Sequence, residues 1–132
     1  MSQPIELILV RHLASSLAIP LFLVDPDGTM VFYNEAAEGV LGRRYDEAGE
    51  MSFDEWTTAF AVRDEAGEPL DIDQLPLVRA LRARRPAHHK FDITGLDGRP
   101  RTLEVSAFPL EAEGRRMLGA VALFWESGPD GG

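Results

Sequence analysis

Two adjacent histidines, His88 and His89, are the first side chains in this 132-residue sequence that suggest a metal site. They lie in a run that alternates like a β-strand, in which neighbouring side chains point to opposite faces of the sheet. Neither histidine has an acidic partner at the spacing of a zinc ligand. We therefore predict no metal site. His12 falls on a helical pattern near the start of the sequence, and we expect it at a helix interface.

Residues that could carry catalysis are not grouped into a recognisable motif. The sequence contains no G-x-S-x-G elbow, no phosphate-binding glycine loop and no zinc-protease histidine pair. Its 22 acidic residues cluster in turns and at helix starts, where capping and solubility explain them. We predict that the chain is not an enzyme.

A short basic run contrasts with the net charge of −9. It consists of Arg79, Arg82, Arg84, Arg85 and Lys90. One interpretation is a solvated helix face, and the other is a docking site for an acidic partner or a carboxylate ligand. The overall charge repels nucleic acid and anionic membranes, so we predict neither as a partner.

The absence of cysteine excludes several kinds of chemistry. With no cysteine in the chain, disulfides, thiolate nucleophiles, zinc–thiolate clusters and cysteinyl–flavin adducts cannot form. The first long apolar run, residues 7–10, is far shorter than the roughly 20 residues that span a bilayer. It also lacks the basic leader of a signal peptide. We expect a single-domain cytoplasmic protein.

Apolar residues at the start of the sequence recur at helical spacing. We predict an amphipathic helix within residues 1–19, ended by Pro20. Its apolar stripe could pack on the domain's own sheet or pair with a second copy of the chain, and periodicity alone does not decide between them. The residues that we select as candidates for a dimer interface are Ile5, Ile8, Leu9 and Leu13.

Turn and cap residues predict a hairpin that leads into a short helix. The segment Asp25-Pro26-Asp27-Gly28 has the composition of a type I turn between two short strands. Asn34 follows the second strand and can cap a helix that begins at the next residue. Gly42 supplies the residue that can turn left-handed at the end of that helix.

Two further helices are predicted before the second half of the sheet. Ser52 and Glu55 have the spacing of a capping box for a short helix that runs through Phe60. Asp73 can cap a longer helix, in which Pro76 is tolerated because it falls in the first turn.

Three strands complete the pattern, at residues 89–94, 101–108 and 117–125. The first two alternate in polarity, and the third is almost continuously apolar, as in a central strand covered on both faces. The order of elements predicts an α+β fold, with a five-stranded antiparallel sheet, a helical insertion over one face and a flanking N-terminal helix.

In this order and spacing, the motifs resemble those of PAS domains. The segments that carry the likeness are residues 25–28, 33–37, 41–42, 67–70, 75–81, 97–99 and 106–110. The stretch 68–81 particularly resembles PAS domains attached to bacterial histidine kinases. On this basis we assign residues 20–126 to a PAS domain and residues 127–132 to a disordered tail.

The resemblance implies a concave sheet and helices around a small cavity that holds haem, flavin, a metabolite or nothing. We predict no cofactor, because light-sensing flavin chemistry needs a cysteine and residues 75–85 lack the histidine that usually binds haem. Asn34 is then a structural cap. The candidates for the ligand pocket are Phe32, Leu41, Trp56, Phe60, Leu77, Leu81, Phe91, Leu103, Val105 and Leu123.

Two functions follow from the resemblance. In the first, a small apolar molecule or a partner shifts the sheet and the N-terminal helix, which relays the signal to an enzyme of the histidine kinase type. In the second, the chain is a ligand-free module that forms homodimers. In larger sensors, the last strand of a PAS domain continues through a short connecting segment into a signalling helix. Residues 125–129 depart from that segment, so we expect either a stand-alone protein or an excised piece.

Overall fold

A five-stranded antiparallel sheet forms the centre of the fold. The computed structural model describes residues 5–127. The strands are β1 (Leu21–Val24), β2 (Met30–Tyr33), β3 (Ala87–Thr94), β4 (Pro100–Ala112) and β5 (Arg116–Glu126), in the spatial order β2-β1-β5-β4-β3. This arrangement confirms the predicted α+β class. Strands β3 and β4 are longer than the sequence pattern indicated, because β3 pairs with β4 from Ala87 onward and β4 pairs with β5 as far as Ala112.

Helices cover both faces of the sheet. They are α1 (Ile5–Ala14), α2 (Glu35–Leu41), α3 (Tyr45–Ala48), α4 (Phe53–Ala59) and α5 (Pro76–Ala83), with 3₁₀ turns at Ile72–Gln74 and Glu113–Arg115. Helices α2 to α5 form the insertion between β2 and β3, and α1 packs on the opposite face. The short helix α3 has no counterpart in the sequence prediction. Among residues 5–127, no helix is long and apolar enough to cross a membrane.

Strand β1 shows how the sheet separates two apolar cores. Phe22 and Val24 face the inserted helices, whereas Leu21 and Leu23 face α1. All four side chains are buried. Successive side chains of a strand point to opposite faces, so an unbroken apolar strand indicates burial on both sides.

The predicted caps of two helices are present. The Asn34 side chain accepts a hydrogen bond from the Ala37 amide at the start of α2, and Gly42 ends that helix with a φ of 87°. In the capping box of α4, the Glu55 amide donates to Ser52 Oγ at 3.2 Å and the Ser52 amide donates to Glu55 Oε1 at 2.9 Å. The hydrogen bond from the Ser52 amide holds the pKa of Glu55 below its usual value.

The predicted cap of α5 is wrong. Asp73 lies in the preceding 3₁₀ turn, where its amide donates to the Asp71 carboxylate at 3.1 Å. Helix α5 instead begins directly at Pro76, whose missing N–H removes one of the donors that a side-chain cap would satisfy. The helix ends at Ala83, before Pro86, because Arg84 adopts a left-handed conformation with φ of 55°. The Arg84 side chain binds Glu111 at 3.0 Å.

Helix α1 is apolar on two opposite sides. Leu7 and Ala14 are 0% and 1% exposed against the sheet, whereas Ile5 and Leu13 are 68% and 66% exposed. The stripe selected from the sequence therefore faces away from the domain's own sheet. The helix also stops at Ala14, earlier than the expected end near Pro20, since two serines with weak helix propensity follow.

Candidate functional site

A small cavity of about 50 Å³ lies between the sheet and the inserted helices. Its floor is formed by side chains from four of the five strands, and its roof by side chains of α2, α4 and α5. The lining residues are Phe22, Leu41, Trp56, Phe60, Val62, Leu77, Phe91, Ile93, Leu103, Val105, Ala122 and Phe124.

Aromatic rings make one side of this cavity firm. The Phe22 ring packs edge-on against Trp56, with centroids 5.2 Å apart, and against Phe60 at 6.4 Å. Trp56 packs in the same manner on Phe53 at 5.3 Å. Edge-to-face contacts of this kind add directional stability to apolar burial, so these rings fix the shape of the wall.

The polar atom of Trp56 is used outside the cavity. Its Nε1 donates a 2.8 Å hydrogen bond to the carbonyl of Gly28 in the β1–β2 turn. Gly28 has a φ of 84°, and a Cβ there would lie 3.1 Å from a ring carbon of Phe53. Glycine is therefore favoured at this turn, chiefly for its conformation and also for the close approach of α4.

The chemistry of the cavity is wholly apolar. No polar atom of the described residues is exposed to it. An isolated carboxylate or ammonium would lose its hydration there without any compensating partner, so charged ligands are disfavoured. For comparison, an engineered apolar cavity of about 150 Å³ accommodates benzene or xenon. Among residues 5–127, no group of three or more His, Cys, Asp or Glu side chains could hold a metal ion.

A family model described as the PAS fold matches residues 14–127. The chain belongs to the PAS family. This confirms the resemblance stated from the sequence motifs. No curated protein sequence matches the chain significantly.

Solved PAS structures share the fold of this domain. The LOV protein of Rhodobacter sphaeroides aligns with a TM-score of 0.73 and 13% identity, covering 97% of this chain and 71% of that one. A PAS domain from Colwellia psychrerythraea gives 0.65 and 14%, covering 92% and 96%. The PAS domain of nitrogen regulation protein NR(II) from Vibrio parahaemolyticus gives 0.64 and 18%, covering 89% and 97%. At these identities the likeness concerns the fold alone.

Most of the residues selected from the sequence for the pocket of this PAS domain meet at the cavity. Those that line it are Leu41, Trp56, Phe60, Leu77, Phe91, Leu103 and Val105. Phe32, Leu81 and Leu123 do not line it. Phe32 and Leu123 pack against the core beneath α1, and Leu81 lies in an outer groove beside Phe53.

The three displaced residues have local explanations. On β5, Ala122 and Phe124 face the cavity, and Leu123 between them must face α1. Phe32 lies beside the register shift between β1 and β2 and packs under the Arg11 guanidinium, 4.9 Å from the ring centroid. Leu81 lies one turn beyond Leu77, nearer the outer surface of the domain.

Five lining residues were not selected from the sequence. They are Phe22, Val62, Ile93, Ala122 and Phe124. Ile93 shares a face with Phe91, so strict alternation along β3 could have identified it. No local signal identifies Ala122 or Phe124. Because β5 is apolar on both faces, its sequence does not show which residues face the cavity.

Asn34 does more than cap α2. It is 1% exposed and is the only buried polar residue in the described part of the chain. Its Oδ1 accepts from the amides of Ala37 at 3.1 Å and Leu21 at 3.0 Å. Its Nδ2 donates to the carbonyls of Ile19 at 2.9 Å and Ala14 at 3.1 Å. The amide group therefore joins α2, β1 and the end of α1.

Two tyrosine hydroxyls tie the edge strand β2 to the segment around α3. The Tyr33 hydroxyl donates to the Arg43 carbonyl at 2.7 Å, and the Tyr45 hydroxyl donates to the Val31 carbonyl at 2.6 Å. Burial raises the pKa of Tyr33 to about 12 and also raises the pKa of Tyr45. Both groups therefore stay protonated as donors at neutral pH.

An ion-pair cluster ties the end of β5 to the β3–β4 turn. Arg101 donates to both carboxylate oxygens of Asp97, at 3.1 and 2.9 Å, and its Nε lies 3.3 Å from Glu126 Oε1. The hydrogen bonds from Arg101 hold the pKa of Asp97 well below its usual range. The cluster fixes the place where the chain leaves the sheet.

Proposed function

We propose that this PAS domain is a sensory module in which a small, uncharged, apolar molecule occupies the cavity and changes the docking of α1. The observation that carries the proposal is the apolar cavity of about 50 Å³, walled by both the sheet and three inserted helices. A molecule bound there would contact helices α2, α4 and α5 of the insertion.

The size of the cavity suggests how a ligand would produce a signal. A molecule larger than the cavity must push its walls apart before it can bind. It then has higher affinity for an expanded state than for the present one, and only such a difference in affinity can shift the balance between two conformations. Well-packed interiors resist continuous deformation, which favours two discrete arrangements.

Helix α1 is suited to report that change. It packs on the opposite face of strands whose inner residues line the cavity, and Leu7 and Ala14 are its buried contacts. Displacement of β1 would therefore disturb the α1 interface directly. We propose that α1 passes the change to a signalling enzyme, of the type that carries histidine kinase activity.

The function is tested by native mass spectrometry, with an absorbance spectrum, on protein purified from its own host. A retained small molecule that is uncharged and apolar supports the proposal. A retained charged or strongly polar molecule contradicts the ligand class, and protein with no bound mass that also fails to bind added benzene contradicts ligand sensing.

A second candidate function is a ligand-free dimerisation module. It is favoured by the outward side of α1, where Ile5, Ile8, Leu9 and Leu13 are 68%, 44%, 61% and 66% exposed. A helix with apolar residues on both sides usually has a second partner. A second copy of the chain could cover this stripe by pairing α1 with α1.

The dimer is tested by analytical ultracentrifugation over a wide concentration range. A monomer–dimer equilibrium supports self-association, and a monomer at the highest concentration contradicts it. The cytoplasmic location and the kinase-type partner stay predictions.

A further inference from the structure

Val62 is the point at which the wall of the cavity reaches the protein surface. Of the twelve residues that line the cavity, all except Val62 are buried, and Val62 is half-buried. It lies in the segment between α4 and the 3₁₀ turn that precedes α5, and we call residues 61–70 of this segment the strap. A molecule that enters the cavity from solvent therefore disturbs the fewest buried side chains if it passes at Val62.

The strap is held to the sheet by few interactions. The Arg63 amide donates to the Asp92 carbonyl at 2.8 Å, and the Asp92 amide donates to the Arg63 carbonyl at 2.9 Å. Within the described part of the chain, these two are the only backbone hydrogen bonds between the strap and the sheet. Val62 and Leu70 add partly buried apolar contacts with the core. Segments held by so few buried contacts open locally, without unfolding of the rest of the domain.

Ala61 gives the strap a strained hinge. Its φ is 45°, in a region that residues with a Cβ atom adopt only at a cost in energy. It lies between Phe60 and Val62, which both line the cavity. The Phe60 carbonyl accepts a hydrogen bond from the Thr94 amide at 2.7 Å, so the chain before the hinge is fixed to β3. Rotation at Ala61 would relieve the strain and move Val62 away from the wall while Phe60 stays in place.

Internal hydrogen bonds make the strap a compact unit. The Asp64 carboxylate accepts from the amides of Ala66 and Glu68 at 2.9 and 3.0 Å, and the Asp64 amide donates to the Glu68 carbonyl at 2.8 Å. The Leu70 amide donates to the Val62 carbonyl at 3.2 Å. Because these bonds lie within the strap, it can swing outward as one body without breaking them.

We propose that the strap is the gate of the cavity, which opens about Ala61 and admits a small apolar molecule past Val62. The proposal rests on the proposed sensory function, because it concerns entry into the same cavity. The strap is closed both in the empty protein and over a bound molecule. It therefore controls how fast a molecule enters and leaves, and it leaves the equilibrium affinity unchanged.

Two neighbouring amides of β3 report whether the strap opens by itself. The Asp92 amide is bonded to the strap, and the Phe91 amide points the other way, toward its partner Leu103 on β4. Hydrogen–deuterium exchange, corrected for intrinsic rates, compares the two. We expect Asp92 to exchange at least about tenfold faster than Phe91, because local opening exposes Asp92 alone. This comparison needs no ligand.

The hinge is tested by Ala61→Gly. Glycine adopts a positive φ without strain, so the closed strap is stabilised, and exchange of Asp92 should be about fivefold slower than in the wild type. Arg115→Gly is the matched control, because Arg115 also has a positive φ, of 60°, but lies in the turn between β4 and β5. It should leave exchange of Asp92 unchanged. Wild-type exchange of Asp92 in folded Ala61→Gly would contradict the hinge.

A reversible cross-link tests the gate itself. The chain contains no cysteine, so Arg63→Cys/Asp92→Cys introduces the sole disulfide. Residues of a hydrogen-bonded antiparallel pair have Cα atoms about 5.5 Å apart, which a disulfide can span. With benzene as the probe, we expect oxidation to slow association and dissociation about tenfold, with the same Kd, because the locked strap cannot open. The reduced form of the same protein is the control, and exchange measurements by NMR give both rates.

The outcomes separate the gate from the sensory function. Exchange of Asp92 as slow as that of Phe91 overturns the gate, because the strap then opens only with the sheet. Equal benzene rates in the oxidised and reduced forms also overturn it, and ligand sensing stands. If benzene does not bind even to the wild type, the sensory function fails. Quenching of Trp56 fluorescence by dissolved oxygen, in a Trp125→Phe background, then decides the gate: weaker quenching in the oxidised form supports it, and equal quenching overturns it.

Discussion

Trp56 Nε1 and the Gly28 carbonyl are joined by a 2.8 Å hydrogen bond that fastens the cavity wall on α4 to the β1–β2 turn. The indole ring thus has two roles. Its apolar surface closes the cavity, and its polar edge fixes the position of α4 on the hairpin. A replacement that keeps an apolar ring at the cavity but removes the hydrogen bond to Gly28 should therefore destabilise the fold.

Trp56→Phe should therefore lower the free energy of unfolding. It leaves the Gly28 carbonyl without its donor, which costs about 1 to 3 kcal/mol for a buried group. The matched control is Trp125→Phe, because Trp125 is 43% exposed and its replacement should change stability by less than about 0.5 kcal/mol. Chemical denaturation measures both. Equal losses of stability in the two variants would show that the buried hydrogen bond contributes no more than an exposed one.

Filling the cavity should separate binding from stability. Ala122→Val places added methyl groups at the cavity wall, and we expect stability to rise by about 0.5 to 2 kcal/mol while benzene binding is lost. Ala120→Val is the control on the same strand and in the same core, but away from the cavity. Overpacking there should cost about 1 to 3 kcal/mol. Thermal unfolding measures the stability of both variants, and benzene titration measures their binding. Equal destabilisation by both variants would show that the cavity has no room for added methyl groups at Ala122.

The outward stripe of α1 should control self-association. Ile8→Asp places a charge within the stripe, and we expect it to abolish a dimer that the wild type forms, because burial of an unpaired carboxylate is strongly unfavourable. Ile72→Asp is the control, since Ile72 is exposed to the same degree, 45% against 44%, and lies in the outer groove with Phe53 and Leu81, away from α1. Sedimentation velocity measures both. A dimer that survives Ile8→Asp would exclude this interface.

The Asp97–Arg101 pair should give the fold an acid-sensitive component. Because the folded state holds the pKa of Asp97 below its unfolded value of about 3.9, its contribution is present above that pH and is lost as the pH falls below it. The stability gap between wild type and Asp97→Asn should therefore be constant near pH 7 and shrink below about pH 4.

Thermal unfolding of both proteins between pH 7 and pH 3 measures this gap. Asp46→Asn is the control, because Asp46 pairs with Arg44 at 3.1 Å on the exposed surface and loss of this pair should change stability little. A gap that is unchanged down to pH 3 would contradict a stabilising role for the Asp97 carboxylate.

Local patterns predicted most of the local structure correctly, with the cap of α5 as the exception. The Asn34 and Gly42 ends of α2 and the Ser52–Glu55 capping box depend on residues a few positions apart, and all are present. Asp73 misled the prediction, because an acidic residue before a helix also suits a 3₁₀ turn. Pro76 sets the true start of α5.

Features that depend on distant residues were not readable from the sequence. The donor half of the Asn34 amide binds Ala14, twenty positions away, and nothing near Asn34 indicates this. The continuous apolar run of β5 hid which residues face the cavity, so Leu123 was selected in place of its neighbours. Periodicity identified the apolar stripe of α1 but not its partner, because Leu7 and Ala14 on the other side take the sheet contact.

Hydrogen–deuterium exchange of the α1 amides with and without saturating benzene, in wild type and in Ala122→Val, tests the link between cavity and helix most directly. We predict that benzene changes α1 exchange in the wild type and leaves it unchanged in Ala122→Val, whose cavity is filled. Wild-type α1 exchange that stays the same with benzene bound would contradict the account.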